Sequence, residues 1–273
     1  MEIKVLGTVS PFPYKNMNCP GFLISDGEYK VMLDCGTGSS RLLDYYKDLN
    51  KLAIFISHYH PDHYADILSL EYASYLGHKL GYLDQLVNVY LPETDKIEKT
   101  IHGVDKDGWG TSYKELADVM DYTFISDEAR ENYMEFKIYN QESKITHGSI
   151  NLSFSINPHP INTYSARIEN DDGVIVYSAD TGFKSNSLTE LANNADILIC
   201  EATFLRGQEK KHDNHLFAYE AAKIARDANV KQLYLFHTYP LMDKKLYCDE
   251  AREIFENTNI LNEGDVITLR KEK

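Results

Sequence analysis

The most informative stretch of this 273-residue chain is Ser57-His58-Tyr59-His60-Pro61-Asp62-His63, which follows a short apolar run. Two histidines separated by one residue at the end of a strand can point the same way and share one metal ion. The Asp and His just beyond them can reach a second ion. Three histidines and one aspartate within six residues are poorly explained as unrelated surface residues. The stretch therefore predicts a metal site.

Three later apolar runs also end in a side chain of a type that binds metals. Asp180 follows the run at 174–179, Glu201 the run at 197–200, and His237 the run at 233–236. Sites in such sheets gather where strands end and loops begin. Each residue alone has a structural explanation, such as a turn cap for Asp180 or a core histidine for His237. Their combination with His58 favours a dinuclear metal site at one sheet edge.

The composition excludes several classes of protein. The chain has 28 Lys+Arg against 42 Asp+Glu, and its net charge of −14 disfavours non-specific binding of DNA or RNA. No apolar run approaches the roughly 20 residues of a membrane-spanning helix. The start lacks a signal-peptide pattern, and the four cysteines form no CxxC pair. We therefore expect a non-membrane protein with reduced thiols in the cytoplasm.

The chain shows no linker or repeat, and its apolar runs predict one α/β domain in which helices cover sheets. Helices are predicted at residues 39–49, 64–78 and 216–228. Residues 77–145 are interpreted as an insertion or lid with a helical patch at 112–120. Its tyrosines and Trp109 either line a pocket or pack against the body.

The sequence resembles the metallo-β-lactamase superfamily over nearly its whole length. The resemblance rests on the HxHxDH motif, on Ser178-Ala179-Asp180-Thr181, on His237, and on Asp34-Cys35-Gly36, which is similar to the family's DxG turn. It implies a four-layer αβ/βα sandwich formed by residues 1–273 as a single domain. It also implies that the metals lie at one edge of the two sheets.

The resemblance implies a ligand set for each metal. His58, His60 and a later histidine hold the first ion, Asp62, His63 and His237 hold the second, and Asp180 bridges them. His147 and His159 both compete for the position of the later histidine. His159 is preferred, because Asn157-Pro158-His159-Pro160 follows an alternating strand and resembles the ribonuclease Z-like branch. His147 precedes its strand in a Thr-His-Gly turn and is expected at the surface.

Imidazole and carboxylate ligands without thiolate predict two zinc ions, and manganese is also compatible with this donor set. Zinc lowers the pKa of a bound water to about 7, and a second ion roughly 4 Å away stabilises the opposing oxygen of an in-line displacement. The expected reaction is therefore hydrolysis by a metal-bridged hydroxide.

Branch-specific residues indicate the bond that is cleaved. Cys200-Glu201-Ala202-Thr203-Phe204 resembles the His-Glu-Ala-Thr segment of ribonuclease Z and its phosphodiesterase relatives, with Cys200 in place of His. Asp213-Asn214-His215 resembles the segment with the additional catalytic histidine. Glu201 would orient His215, which would protonate the leaving alkoxide or stabilise the developing charge. Asp62 is also predicted to be catalytic. The alternative for His215 is a neighbour of a helix N-cap without chemistry.

The spacing of the motifs bears on substrate size. Ribonuclease Z carries a tRNA-gripping arm between the third-motif histidine and the bridging Asp, whereas only 21 positions separate His159 from Asp180. One hairpin with an acidic turn at 170–173 fills this gap. A small phosphodiester, such as a cyclic nucleotide or short dinucleotide, is therefore expected, and extended nucleic acid is not. The resemblance also implies a homodimer.

Three other functions stay open on the sequence. The first is a ribonuclease Z-like endonuclease that grips RNA through residues 77–145 or a partner chain. The second is an ester, thioester or lactam hydrolase. The third is a metal-binding protein without turnover, which the complete ligand set argues against.

Overall fold

Two seven-stranded sheets form the centre of the computed structural model, which describes residues 1–93, 133–208 and 213–270. The first sheet has the order β14-β1-β2-β3-β4-β5-β6. Its strands are β1 (Glu2–Gly7), β2 (Gly21–Ser25), β3 (Lys30–Leu33), β4 (Leu52–Phe55), β5 (Val87–Pro92), β6 (Met134–Tyr139) and β14 (Val266–Thr268).

The second sheet has the order β13-β12-β11-β10-β9-β8-β7. Its strands are β7 (Lys144–His147), β8 (Ile150–Ile156), β9 (Tyr164–Asn170), β10 (Gly173–Tyr177), β11 (Ile197–Glu201), β12 (Gln232–Phe236) and β13 (Thr258–Ile260). In each sheet one half is antiparallel and the other is parallel. The parallel neighbours are β3 to β6 in the first sheet and β10 to β13 in the second.

Helices cover the outer face of each sheet. The first sheet carries α1 (Tyr45–Leu49), α2 (Pro61–Tyr64) and α3 (Ile67–Lys79), and the second carries α4 (Ser187–Leu191), α5 (Ala218–Asp227) and α6 (Lys244–Arg252). One apolar cluster lies between the sheets, and one lies between each sheet and its helices. These three clusters separate four layers, which confirms the predicted αβ/βα sandwich.

The central strands alternate between these clusters. In β10, Ile175 and Tyr177 face the opposite sheet, whereas Val176 faces the helices. A strand that is buried on both faces must be apolar throughout, which is why these segments are continuous apolar runs in the sequence.

The single helix predicted over residues 39–49 was wrong. The structure has a 3-10 turn at Ser39–Leu42, an extended Leu43 and then α1. The carboxylate of Asp48 accepts a hydrogen bond of 2.9 Å from the backbone N–H of Asp44, and this contact supports a new start of the helix. Burial of Leu43 in the outer cluster favours the extended segment between the two pieces.

Part of the range 77–145 belongs to the first sheet. β5 pairs in parallel with β4 and with β6, and Val87, Val89 and Met134 are buried in the outer cluster. These strands are thus integral to the body. Trp109 and the predicted helical patch at 112–120 lie outside the described residues, so a lid remains a prediction for that part of the chain.

The hairpin of β9 and β10 occupies the space between His159 and Asp180 in the sequence. Its turn lies at the opposite end of β10 from Asp180, and there Asp172 pairs with the amino group of Met1. The hairpin fills this gap and leaves no room for an arm, as predicted. The acidic charge of the turn is no argument against RNA, because that charge faces away from the edge with Asp180.

Among the residues that the structure describes, no helix has the length and apolarity needed to cross a bilayer.

Candidate metal centre

The strand ends bring the predicted residues to one edge of the sandwich. The loop after β4 carries His58 and His60, and α2 carries Asp62 and His63. On the other sheet, β10, β11 and β12 lead to Asp180, Glu201 and His237. β8 is antiparallel to β9, which is antiparallel to β10. The carboxyl end of β8 therefore lies at the same edge, and His159 follows it.

Four of these residues form a first group of possible metal ligands, and their ligand atoms all lie within 4.8 Å of one another: His58, His60, His159 and Asp180. His60 Nδ1 lies 2.9 Å from His58 Nε2 and 3.3 Å from His159 Nε2. Asp180 Oδ2 lies 3.6 Å from His58 Nε2 and 4.0 Å from His159 Nε2.

A second group lies directly beside the first and consists of Asp62, His63 and His237. Asp62 Oδ2 is 3.7 Å from Nε2 of both histidines. The other oxygen of Asp180, Oδ1, is 3.3 Å from His63 Nε2 and 3.1 Å from His237 Nε2. Asp180 thus directs one carboxylate oxygen to each group, which is the arrangement of a bridging ligand.

Unsatisfied buried atoms indicate that these groups bind cations. His63 Nε2, His237 Nε2 and Asp180 Oδ1 are buried and form no hydrogen bond of suitable geometry, although the two nitrogens lie 3.3 Å and 3.1 Å from that oxygen. Leaving such an atom unpaired costs about 1–3 kcal/mol, so buried polar groups without a partner are uncommon. All three atoms converge on the second group. A divalent cation there would satisfy them together, so the residues fit a metal ion.

The outer hydrogen bonds fix which ring nitrogen is available to a metal. Backbone carbonyls and ionised carboxylates only accept hydrogen bonds, so a ring nitrogen facing one must carry the proton. Nε2 therefore faces the metal groups, and in a neutral imidazole it is the unprotonated nitrogen that can bind a metal. Nδ1 of His63 faces Asp34 Oδ2 at 2.7 Å, and Nδ1 of His159 faces Asn214 O at 3.0 Å. Nδ1 of His58 and of His237 each lie 2.9 Å from a hydroxyl, Ser57 Oγ and Thr203 Oγ1, and these hydroxyls accept here because they donate to Asp34 and Glu201.

The histidines of the first group are held in the neutral state, which can bind a cation. Burial, together with the neighbouring imidazoles, lowers the pKa of His60 to about 3 and that of His58 well below its ordinary value. Burial also lowers the pKa of His159 to about 4. These imidazoles are therefore neutral at pH 7, the state in which they can bind a metal.

The second group is governed by its carboxylates. Burial opposes a charge on His237, but the carboxylate of Asp180 outweighs it and raises the pKa to about 10. The pKa of His63 is raised for the same reason, with Asp34 and Asp62 adding to the effect of Asp180. Burial would raise the pKa of Asp180 itself, yet His237 and His63 lower it. This group thus attracts positive charge, which a divalent cation also supplies.

Strained backbone supports this edge. Asp34, Ala179 and His237 have φ of 57°, 48° and 61°, in the left-handed region that non-glycine residues seldom adopt. Gly36 lies so close to the loop of the HxHxDH motif that a Cβ would be 1.9 Å from the carbonyl oxygen of Asp62. The Asp34-Cys35-Gly36 turn can therefore reach the site only with glycine at this position.

Glu201 and His215 form a pair beside Asp180. His215 Nδ1–H donates to Glu201 Oε1 at 3.0 Å, and the same nitrogen is 3.8 Å from Asp180 Oδ2. Burial raises the pKa of Glu201, but His215 outweighs it, so the net shift is downward and the carboxylate stays ionised. Glu201 is fully buried, whereas the side chain of His215 is 19% exposed. The pair therefore leaves Nε2 of His215 for a group outside.

Cys200 does not contact this pair. Its side chain lies with Leu198 in the apolar cluster under the helices, and strand alternation places Glu201 on the other face of β11. His147 is also away from the site, since its Nε2 lies 2.8 Å from the carbonyl oxygen of Lys51 and its ring packs against Tyr29.

Two supporting residues were not identified from the sequence. Ser10 Oγ donates to Asp62 Oδ2 at 2.6 Å, and Thr203 Oγ1 donates to Glu201 Oε2 at 2.8 Å while it accepts from His237. Thr203 lies within the Glu-Ala-Thr segment and could have been inferred from it. Ser10 lies in an N-terminal loop where the sequence carries no signal for a site.

Exchange of His159 for alanine should lower the metal content measured by mass spectrometry from two ions per chain to about one. The first group would then retain two histidines and the shared Asp180. His147→Ala is the matched control and should keep both ions, because the imidazole of His147 contacts the backbone of Lys51 and the ring of Tyr29, away from the ligand groups. Loss of metal in the control but not in His159→Ala would show that the two histidines had been assigned the wrong way round.

Comparison with known proteins identifies the family and the fold. The sequence model described as "Beta-lactamase superfamily domain" matches residues 29–238. The chain is 28% identical over 268 residues to the probable metallo-hydrolase YhfI of Bacillus subtilis, covering 97% of this chain and 99% of YhfI. The crystal structure of YhfI superposes with a TM-score of 0.79 at 26% identity and covers 98% and 99% of the two chains.

Two further relatives are named for phosphorus chemistry. Ribonuclease Z of Archaeoglobus fulgidus is 28% identical over 297 residues, which covers 95% of this chain and 94% of that enzyme. The crystal structure of a diphosphatase from the PhnP family has a TM-score of 0.68 at 16% identity and covers 99% of both chains. The latter similarity concerns the fold alone.

Proposed function

This chain belongs to the beta-lactamase superfamily and is a metallo-hydrolase, and from this premise we propose that it cleaves a small phosphodiester. The observation that carries the proposal is the Glu201–His215 pair beside Asp180. Cleavage of a phosphodiester expels an alkoxide, which a positioned acid must protonate. The pair supplies such an acid at the border of the metal centre.

The residues of the chain divide the work. His58, His60 and His159 would hold one divalent cation, Asp62, His63 and His237 would hold the other, and Asp180 would touch both. We propose zinc for both positions. Bound cations of this type polarise the phosphoryl oxygen and lower the pKa of bound water.

His215 acts from Nε2 on the leaving oxygen. Glu201 holds the opposite nitrogen, Nδ1, at 3.0 Å and so fixes the orientation of the imidazole ring. Thr203 and the backbone N–H of Thr181 donate to the same carboxylate, so Glu201 cannot rotate away. The pair is thus oriented before the substrate arrives.

The hairpin of β9 and β10 supports a small substrate, since it leaves no room for an arm between His159 and Asp180. The net charge of −14 supports this as well, because a polyanion would be repelled. The second candidate function is RNA cleavage, which the 28% identity with ribonuclease Z favours.

Turnover assays separate these possibilities. The zinc-loaded protein should hydrolyse bis(p-nitrophenyl) phosphate and at least one member of a panel of cyclic nucleotides and dinucleotides. Cleavage of precursor tRNA that weakens steeply with salt would favour the second candidate. Turnover of nitrocefin or a thioester, with no phosphodiester cleaved while two metals are bound, would overturn the proposal.

His215→Ala should lower kcat for a cyclic nucleotide or dinucleotide that the protein cleaves by about 10²–10⁴-fold, the contribution typical of a general acid. The loss should be much smaller for bis(p-nitrophenyl) phosphate, because its nitrophenolate leaves without a proton. The metal content should stay at two ions, because His215 is proposed to act on the substrate. Glu201→Gln should give a smaller loss and shift the pH–rate profile, since it removes only the charge that orients His215. If His215→Ala instead removed a metal, His215 would be a ligand.

We also propose that the protein is a cytoplasmic homodimer that needs no nucleic-acid or membrane partner. The resemblance to the ribonuclease Z-like branch supports the dimer, and the four cysteines, which are all unpaired and buried, are compatible with a reducing compartment. Light scattering during size-exclusion chromatography should give twice the chain mass of 31.3 kDa.

A further inference from the structure

Two exposed aromatic rings stand in contact with each other outside the three apolar clusters. Phe12 and Tyr239 are each 39% exposed. Their ring centroids are 5.9 Å apart and the ring planes meet at 86°, so the edge of one ring faces the other. The two residues come from opposite ends of the sequence. Their pairing therefore needs the folded arrangement of two separate loops.

These loops carry residues of the metal centre. Ser10, two residues before Phe12, donates to Asp62, and His237, two residues before Tyr239, is a member of the second ligand group. The backbone also joins the loops, since the Ser10 N–H donates to Thr238 O at 3.2 Å. Two residues span at most about 7 Å between Cα atoms. The rings therefore lie at the rim of the metal centre, on the side of Asp62 and His237.

The two loop segments that form this rim contain no charged residue. No Asp, Glu, Lys or Arg occurs in residues 8–14 or 238–242, although charged residues make up 26% of the chain. Pro11 and Pro13 flank Phe12 and are exposed as well. Lys244 Nζ donates to Thr8 Oγ1 at 2.8 Å, but it is also held by Leu261 O and Glu263, so the exposed part of the rim suits a flat apolar or aromatic group better than a phosphate. The rim and the metal centre thus suit the two ends of one molecule.

We propose that Phe12 and Tyr239 form a subsite that stacks the nucleobase of a substrate whose phosphodiester lies at the metal centre. This inference rests on the proposed phosphodiesterase function and names its substrate class as a nucleotide. Perpendicular rings form a corner in which a base stacks on the face of one ring and meets the edge of the other. Such stacking tolerates every base, so little base preference is expected.

A second copy of the chain is a poorer occupant. A stable protein interface buries roughly 800 Å² on each partner, and two rings that are two-fifths exposed provide far less. A planar group of nucleobase size matches the extent of the corner.

Binding to the zinc-loaded full-length protein tests the subsite without turnover. AMP and ribose 5-phosphate share a sugar phosphate and differ in the base. Calorimetry should show that AMP binds about 5- to 100-fold more tightly. In the double variant Phe12→Ala/Tyr239→Ala, the ratio of the two Kd values should fall to about 1, while the Kd for ribose 5-phosphate stays unchanged. Tyr72→Ala, which removes an exposed ring on α3, should keep the ratio of the wild type.

A turnover assay provides the second arm. Thymidine 5′-(p-nitrophenyl) phosphate and methyl p-nitrophenyl phosphate share a leaving group, and only the former has a base. The double variant should raise KM for the thymidine ester alone, and Tyr239→Phe, which keeps the ring, should raise it far less than Tyr239→Ala.

The possible outcomes separate the two proposals. Equal binding of AMP and ribose 5-phosphate by the wild type, or an unchanged ratio in the double variant, would overturn the subsite. If neither ester is cleaved but AMP still binds through the two rings, the subsite holds and the phosphodiesterase function fails.

Discussion

Asp180→Ala is expected to abolish detectable hydrolysis of bis(p-nitrophenyl) phosphate and to lower the metal content below one ion per chain. Asp180 reaches both ligand groups, since its two oxygens lie 3.3 Å from His63 Nε2 and 3.6 Å from His58 Nε2. Loss of a partner that merely orients a ligand costs about 10–100-fold in metal affinity or activity. Loss of a shared ligand should cost more, because both ions depend on it.

Asp180→Asn refines this test. The amide keeps the size of the side chain but removes the negative charge that raises the pKa of His237. We expect the metal content to fall in this variant too, because the charge and not the volume holds the cations. Asp171→Ala is the matched control, since Asp171 is an exposed Asp in the turn at the far end of the same hairpin. Two bound metals and full turnover in Asp180→Asn would contradict a bridging carboxylate.

The strand-end rule explains how much of this site was predictable. Asp180, Glu201 and His237 each follow an apolar run, and parallel strands carry them to one edge whatever the remaining topology. The HxHxDH motif does the same for the first sheet. The position of His159 was harder to predict, because β8 reaches this edge only through two antiparallel pairings. The resemblance, and not the spacing, led to its selection over His147.

Long-range side-chain contacts account for what the sequence did not predict. Ser10 reaches Asp62 across 52 positions, and no local pattern marks such a contact. The break in the predicted helix at 39–49 depends on a side chain, that of Asp48, which competes with the helical backbone for the Asp44 N–H. The orientation of the turn at 170–173 follows from the register of β9 and β10, which composition cannot reveal.

Removal of the metals is expected to lower the melting temperature by about 10 °C. A ligand that binds only the folded state at a concentration 1,000 times its Kd stabilises by about 4 kcal/mol, and each kcal/mol corresponds to about 2–4 °C for domains of 150–250 residues. The physical reason is the set of buried atoms at His63, His237 and Asp180, which form no hydrogen bond of suitable geometry within the described part of the chain. Thermal unfolding followed by fluorescence, before and after dialysis against a chelator, measures the shift.

The ligand groups also predict which ions restore stability. Zinc should return the melting temperature fully and manganese in part, whereas calcium should not, because imidazole nitrogens dominate both groups and calcium prefers oxygen. The double variant His58→Ala/His60→Ala should respond less to the chelator, since the first group is then lost while Asp62, His63 and His237 remain. An equal response in this variant and the wild type would mean that the first group contributes no stabilising ion. No response in either would contradict metal binding at this edge, because the unsatisfied buried atoms would then be stable without a cation.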